Sequence, residues 1–161
     1  MDGRAVPTFI NKALNNENIE IYGDGTQTRS LCHVDDLIDG IMKMMNTDDD
    51  IIGPVNIGND DELTINELAA KIIKLTNSKS QIIYKELLQD DPSKRKPDLT
   101  VARNLLNYTP RISIDEGLKN TIEYFKNQRM VWKIYYREQI LLLTNLSKTH
   151  IIFLFINVVP P

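Results

Sequence analysis

Apolar residues recur through positions 1–128 at spacings that switch between the helical and the extended period, separated by short polar connections. Phe9-Ile10 and Ala13-Leu14 fall on one stripe of a helix, and residues 19–22 read as a short strand. Gly23-Asp24-Gly25 forces a turn next, because glycine accepts positive φ at little cost. A second strand is predicted over residues 28–34. Asp35-Asp36 then stand where they can cap a helix carrying Leu37, Ile38, Ile41, Met42 and Met45. Residues 54–58 read as a short buried strand. Thr64 with Glu67, and Ser113 with Glu116, have the spacing of a capping box, the first ahead of Leu68, Ala69, Ile72, Ile73 and Leu75, the second ahead of Leu118, Ile122, Tyr124 and Phe125. Helices and strands alternating in this way predict an α/β domain over residues 1–128.

Past Gln128 the pattern stops. Basic and aromatic residues run through Tyr136, followed by Leu141-Leu142-Leu143 and an apolar patch at 151–159. A membrane-spanning helix needs about 20 mostly apolar residues, and Lys148 and His150 interrupt this stretch. Residues 129–161 are therefore expected to be a poorly ordered tail unrelated to the domain, with membrane anchoring the lesser alternative.

Composition narrows the partners. A net charge of −3 and a pI near 5.4 leave no basic face for nucleic acid, so an anionic ligand must be held by local geometry. The single cysteine, Cys32, excludes internal disulfides and multi-cysteine metal sites and reads as a small hydrophobe on a strand. His33 and His150 are far apart, so His33 is expected to be structural and no metal is predicted. The run Asp48-Asp49-Asp50 reads as a solvated surface. The first residues, Met1-Asp2-Gly3-Arg4, lack the apolar core of a signal peptide.

Two segments carry candidate chemistry, Tyr22-Gly23-Asp24-Gly25-Thr26-Gln27-Thr28-Arg29 and Asp90-Asp91-Pro92-Ser93-Lys94-Arg95-Lys96-Pro97-Asp98. Each places one arginine behind a tight turn. Two guanidiniums converging on one point suit a diphosphate, because each planar fork can give two charge-assisted hydrogen bonds to phosphoryl oxygens.

With Asp2-Gly3-Arg4-Ala5-Val6, Gln27-Thr28-Arg29-Ser30 and Val55-Asn56-Ile57-Gly58-Asn59, these segments resemble in order and spacing the C-terminal part of the UDP-glucuronate decarboxylases, also called UDP-xylose synthases. The likeness covers residues 2 to 127. The turn and its arginine are shared by NAD-dependent nucleotide-sugar epimerases and dehydratases of the extended short-chain dehydrogenase superfamily; the Asp-Asp-Pro-x-Lys-Arg-Lys-Pro-Asp segment is specific to the decarboxylases. The resemblance implies a Rossmann-type fold and a reaction in which NAD oxidises C4 of UDP-glucuronate. The resulting β-keto acid loses CO₂, and the hydride returns to give UDP-xylose.

The resemblance also implies residue roles. Arg29 falls at the diphosphate arginine, and Arg95 at the one nearer the sugar, where it can assist electrostatically. Tyr22 corresponds to an aromatic beside the uridine, Gln27 to a polar substrate contact, and the segment from Val6 to Phe9 to the cover of the uracil, with Phe9 as its wall. For Tyr22 core packing, and for Gln27 an ordinary exposed turn, are the competing readings. Pro7 and Thr8 replace the usual serine and asparagine, and Pro7 removes one backbone donor. Asn107-Tyr108 replaces a Gly-Trp pair, a change of packing.

Two parts of the family's machinery are missing from the sequence. No Gly-x-x-Gly-x-x-Gly dinucleotide turn occurs, and none of the six tyrosines is followed four places later by lysine. The chain is therefore expected to be a substrate-binding fragment, inactive alone, that binds UDP-glucuronate or UDP-xylose or pairs with a full-length homologous subunit. A non-catalytic fragment or an incomplete gene model is the alternative. Family members occur in the cytoplasm and the Golgi, which leaves the compartment open. In the family the helix over residues 35–45 and the strand over residues 54–58 pack on the nucleotide-binding sheet, so their apolar faces should here lack partners.

Overall fold

In a computed structural model of the chain, the structure describes residues 4–48, 51, 53–86 and 94–146, and the chain divides into two compact units, 1–125 and 126–161. The first unit opens with helix α1, Ala5–Asn15, followed by strands β1, Ile19–Tyr22, and β2, Thr28–Ser30. Helix α2, Val34–Met45, strand β3, Glu62–Thr64, and helix α3, Ile65–Thr76, come next. Strands β4, Ile82–Lys85, and β5, Lys94–Arg95, and helix α4, Thr100–Leu106, lead to α5, Ile114–Leu146. Residues 126–146 of α5 are the described part of the second unit, and no described helix is long and apolar enough to cross a membrane. The apolar patch at 151–159 lies outside the described residues.

Two small sheets organise the first unit. β1 and β4 pair in parallel, with Ile19 opposite Ile82 and Tyr22 opposite Lys85. In the second sheet β2 is central, antiparallel to β3 and parallel to β5. Helices α1 and α3 cover β1, and Phe9, Ile10, Ala13, Ile19, Ile21, Leu68, Ala69 and Ile72 close on one another with Leu118 and Ile122 of α5. A second cluster forms around Tyr108 with Leu99, Ala102 and Leu106.

The helix ends follow from local chemistry. The Thr64 hydroxyl accepts from the Glu67 amide at 3.1 Å and the Glu67 carboxylate accepts from the Thr64 amide at 2.7 Å, so the expected capping box is formed. At Ser113 the Oγ accepts from the Glu116 amide at 3.3 Å. Asn16, Asn77 and Asn107 each adopt the left-handed conformation after α1, α3 and α4, which asparagine tolerates better than most residues. Pro7 sits in the first turn of α1, where a missing amide costs no intrahelical bond.

Three expectations are corrected. The second strand ends at Ser30 rather than at residue 34, because β3 offers only Glu62–Thr64 as a partner and the chain then turns into α2. Cys32 is accordingly off the strand and half-buried. The cap of α2 is His33, whose Nδ1 accepts from the Asp35 amide at 3.3 Å, and not Asp35-Asp36. Asp36 is instead buried, and its carboxylate accepts from the amides of Arg111 and Ile112, both at 3.0 Å. Residues 54–58 form no strand. Val55 and Ile57 pack on the Tyr108 cluster, and the Gly58 carbonyl is taken by the Tyr108 hydroxyl at 2.7 Å.

Candidate functional site

The first unit holds a cleft of about 990 Å³ between the start of α1, the ends of β1 and β2, Arg95 on β5 and the start of α5. Its volume is in the range of small-molecule and cofactor sites. The parallel register places Arg29 directly opposite Arg95, and paired residues on adjacent parallel strands project to the same face about 4.8 Å apart. A sheet ladder thus brings the arginines of the two sequence segments to one cleft. Arg29 is half-buried, and its Nη1 donates to the Thr28 carbonyl at 2.8 Å, which restricts the guanidinium. Arg95 is exposed, and its neighbour Lys96 pairs with Glu62 at 3.6 Å. The acids Asp90 and Asp91 that precede it lie outside the described residues.

The turn between β1 and β2 is a built structure. Gly23 and Gly25 take φ of 79° and 75°, and the Asp24 carboxylate accepts from both the amide and the hydroxyl of Thr26, at 2.9 and 2.7 Å. Those two bonds hold the Asp24 carboxyl below its ordinary pKa. Gln27 folds back, its Nε2 donating to the Tyr22 carbonyl at 2.7 Å. Tyr22, Gln27, Val6 and Phe9 all line the cleft, Phe9 as a buried wall continuous with the core and Tyr22 with 42% of its surface exposed. All six residues expected at a ligand are therefore brought to one cavity.

Sequence reading missed Arg4. It stands at the N-cap of α1, where a cation opposes the helix dipole and no side chain caps the helix, and it lines the same cleft. An arginine at the one helix position that favours acids or small polar residues was a readable signal. Among the described lining residues, four basic side chains face one carboxylate, a formal balance of +3, and the carboxylate, Glu20, pairs with Lys12 at 3.3 Å. This local excess sits in a chain of net charge −3. His33 also borders the cleft as the α2 cap, and no cluster of metal-ligating side chains occurs among the described residues. Asp48 is exposed; Asp49 and Asp50 lie outside the described residues.

Cys32 lies beside the cleft with its Sγ 3.8 Å from the Tyr108 hydroxyl, and burial raises its thiol pKa above the ordinary value. Burial likewise pushes the Tyr108 hydroxyl up. Neither group is poised as a nucleophile or base. No described helix opens on a glycine-rich turn: the N-caps are Arg4 for α1, His33 for α2, Thr64 for α3 and Leu99 for α4, and α5 opens at Ile114 after Ser113. The described residues therefore do not fit a dinucleotide pyrophosphate in the manner of a Rossmann turn.

Comparison with known proteins finds relatives in sequence and in fold. The model of the NAD dependent epimerase/dehydratase family matches residues 1–58. UDP-glucuronic acid decarboxylase 1 of Danio rerio is 43% identical over 127 residues, which is 79% of this chain and 30% of that protein. UDP-glucuronic acid decarboxylase 5 of Arabidopsis thaliana is 44% identical over 125 residues, 78% of this chain and 36% of that protein. Among solved structures, the UDP-glucuronic acid 4-epimerase of Bacillus cereus, in complex with UDP-glucuronic acid and NAD, matches with a TM-score of 0.74 and 28% identity, over 78% of this chain and 40% of that one. The chain thus spans about a third of the length of the curated relatives it matches.

Proposed function

We propose that this chain, which matches the NAD dependent epimerase/dehydratase family over residues 1–58 and is 43–44% identical to UDP-glucuronic acid decarboxylases over 125–127 residues, is a nucleotide-sugar-binding part of a UDP-glucuronate decarboxylase. The observation that carries this reading is the Arg29–Arg95 pair, in register on β2 and β5 and facing one cleft. Two guanidinium forks a strand apart suit an extended anion that offers phosphoryl oxygens to one and a carboxylate to the other. Arg29 takes the diphosphate, Arg95 the sugar end, Tyr22 and Phe9 the uridine, and Gln27 a polar contact. The formal +3 of the cleft matches a ligand carrying a diphosphate and one carboxylate better than it matches a neutral hexose diphosphate.

In a whole enzyme of this family NAD would supply the hydride chemistry. This chain's residues bind and orient: the arginines neutralise the anionic substrate, and α1 with Phe9 walls the base from water. We propose that residues 129–161 take no part, since every described residue lining the cleft precedes position 122. Pairing with a full-length homologous subunit is the route by which such a chain would join a catalytic centre.

The test is ligand preference. At low salt the chain should bind UDP-glucuronate about tenfold more tightly than UDP-glucose, the size expected for one charge-assisted contact, and Arg95→Ala should abolish the difference. Equal affinities for the two sugars in the unmodified chain would contradict the assignment of Arg95.

A further inference from the structure

Asn66, the second residue of α3, is not itself part of the cleft lining yet joins three elements around the turn that shapes it. Its Nδ2 donates to the Asp24 carbonyl at 2.9 Å, and its backbone amide donates to the Gly25 carbonyl at 3.1 Å. Its Oδ1 accepts from the hydroxyl of Tyr84 on β4 at 3.1 Å. The contact is close enough that a Cβ added to Gly25 would fall 2.2 Å from Asn66 Oδ1. One residue earlier, the Ile65 amide donates to the Gln27 carbonyl at 3.1 Å. The first turn of α3 thus spends two of its intrinsically unpaired amides on the carbonyls of this loop, and the Asn66 side chain supplies a third donor.

The consequence reaches the cleft through the chain itself. Gly23 and Gly25 both sit at positive φ, and the turn's own bonds, Thr26 to Asp24 and Gln27 to the Tyr22 carbonyl, shape the 23–27 connection without tying it to α3 or β4. It is fastened at one end by the Gly23 amide to the Lys85 carbonyl at 2.9 Å and in its middle by Asn66. Tyr22 precedes the turn, Gln27 ends it and Arg29 follows on β2.

We propose that Asn66 is a positioning residue for the diphosphate-binding arginine, holding the β1–β2 turn so that Tyr22, Gln27 and Arg29 meet the nucleotide in one geometry. This rests on the nucleotide-sugar reading above. Its chemistry is a carboxamide that both gives and accepts: the amide group fixes the turn, and Tyr84 fixes the amide orientation. Asn66→Asp keeps an acceptor for Tyr84 but turns a carboxylate oxygen toward the Asp24 carbonyl, so it should behave like Asn66→Ala.

The experiment is calorimetric titration of the full 161-residue chain with UDP. Unmodified chain, Arg29→Ala, Asn66→Ala, Asn66→Asp, Tyr84→Phe and the Arg29→Ala/Asn66→Ala pair are compared. Asn66→Ala and Asn66→Asp should raise Kd about tenfold at unchanged stoichiometry, and Tyr84→Phe about twofold to threefold. In the Arg29→Ala background, Asn66→Ala should change Kd by less than about threefold, because the strongest of the contacts it positions is already gone. A purely structural role instead lowers the stoichiometry and leaves Kd of the folded fraction unchanged, and that result overturns the proposal, as does a full tenfold effect without Arg29. Should Asn66→Ala not fold, an unchanged Kd in Tyr84→Phe together with Asn66→Asp overturns it equally. If UDP binds the unmodified chain and Arg29→Ala alike, the nucleotide-sugar reading itself falls; if only the Asn66 variants are silent, the positioning role alone falls.

Discussion

Tyr108 carries the second cluster of the molecule on one hydroxyl. It is fully buried, its O–H donates to the Gly58 carbonyl at 2.7 Å, and Gly40 lies so close that a Cβ there would come 3.0 Å from the ring. Tyr108→Phe should cost about 1–3 kcal/mol, since the buried Gly58 carbonyl loses its donor. Ser30 is the contrast. Its Oγ is buried and has no hydrogen-bond partner among the described residues, so Ser30→Ala should be neutral or slightly stabilising. Urea titrations of the two variants check the pair. The sequence marked Asn107-Tyr108 only as a change of packing, because a hydroxyl's partner 50 residues away cannot be read from spacing. Asp36 was misread for the same reason: as an acid near a helix start it looked like a cap, whereas its amide partners at 111 and 112 come from a distant loop.

At the scale of elements, what was local was legible. The α3 capping box, the α1 stripe, β1 and the glycine turn all follow from residues within a few positions of one another. The short strands β3, β4 and β5, and α4, escaped because two to seven residues leave no period to detect, and β5 exists only through its pairing with β2. The capping box makes a pH prediction. Glu67 is held below its ordinary pKa by the Thr64 amide and hydroxyl, as Asp24 is by Thr26. A carboxyl with a depressed folded pKa stabilises fully above its unfolded value and loses that contribution as pH falls through the folded one. Stability should therefore be flat from neutral pH down to about 5 and fall below about 4, with Glu67→Gln flattening part of the fall. Urea midpoints at successive pH values measure it.

The face of α2 is the second element-scale feature. Leu37, Ile38, Ile41, Met42 and Met45 are all exposed, from 39% for Leu37 to 72% for Met45, as the sequence reading anticipated for a helix without its packing partner. A contiguous apolar surface of this kind promotes association. Replacing Ile38 and Met45 together with glutamate should raise the soluble yield and lower binding of a hydrophobic dye. Its cost in unfolding free energy should be within about 0.5 kcal/mol, as for other exposed sites. Sedimentation and dye titration read the two effects; unchanged aggregation would remove this face as the cause.

For the whole molecule, function depends on how charge is distributed. A chain of net charge −3 concentrates Arg4, Arg29 and Arg95 around one cleft. The sequence disclosed two of these arginines through their turns and motif context. What it could not disclose was the ladder that sets Arg29 beside Arg95, because a parallel pairing across 66 positions of chain is a tertiary fact. The account as a whole stands on that pair. Titration of UDP-glucuronate into the full chain, beside Arg29→Ala and Arg95→Ala, tests it most directly. Each variant should weaken binding about tenfold or more, the loss expected for a charge-assisted bond to a phosphoryl group at Arg29 and to the sugar carboxylate at Arg95, with the larger loss at Arg29. Equal affinity in all three proteins would contradict the diphosphate site.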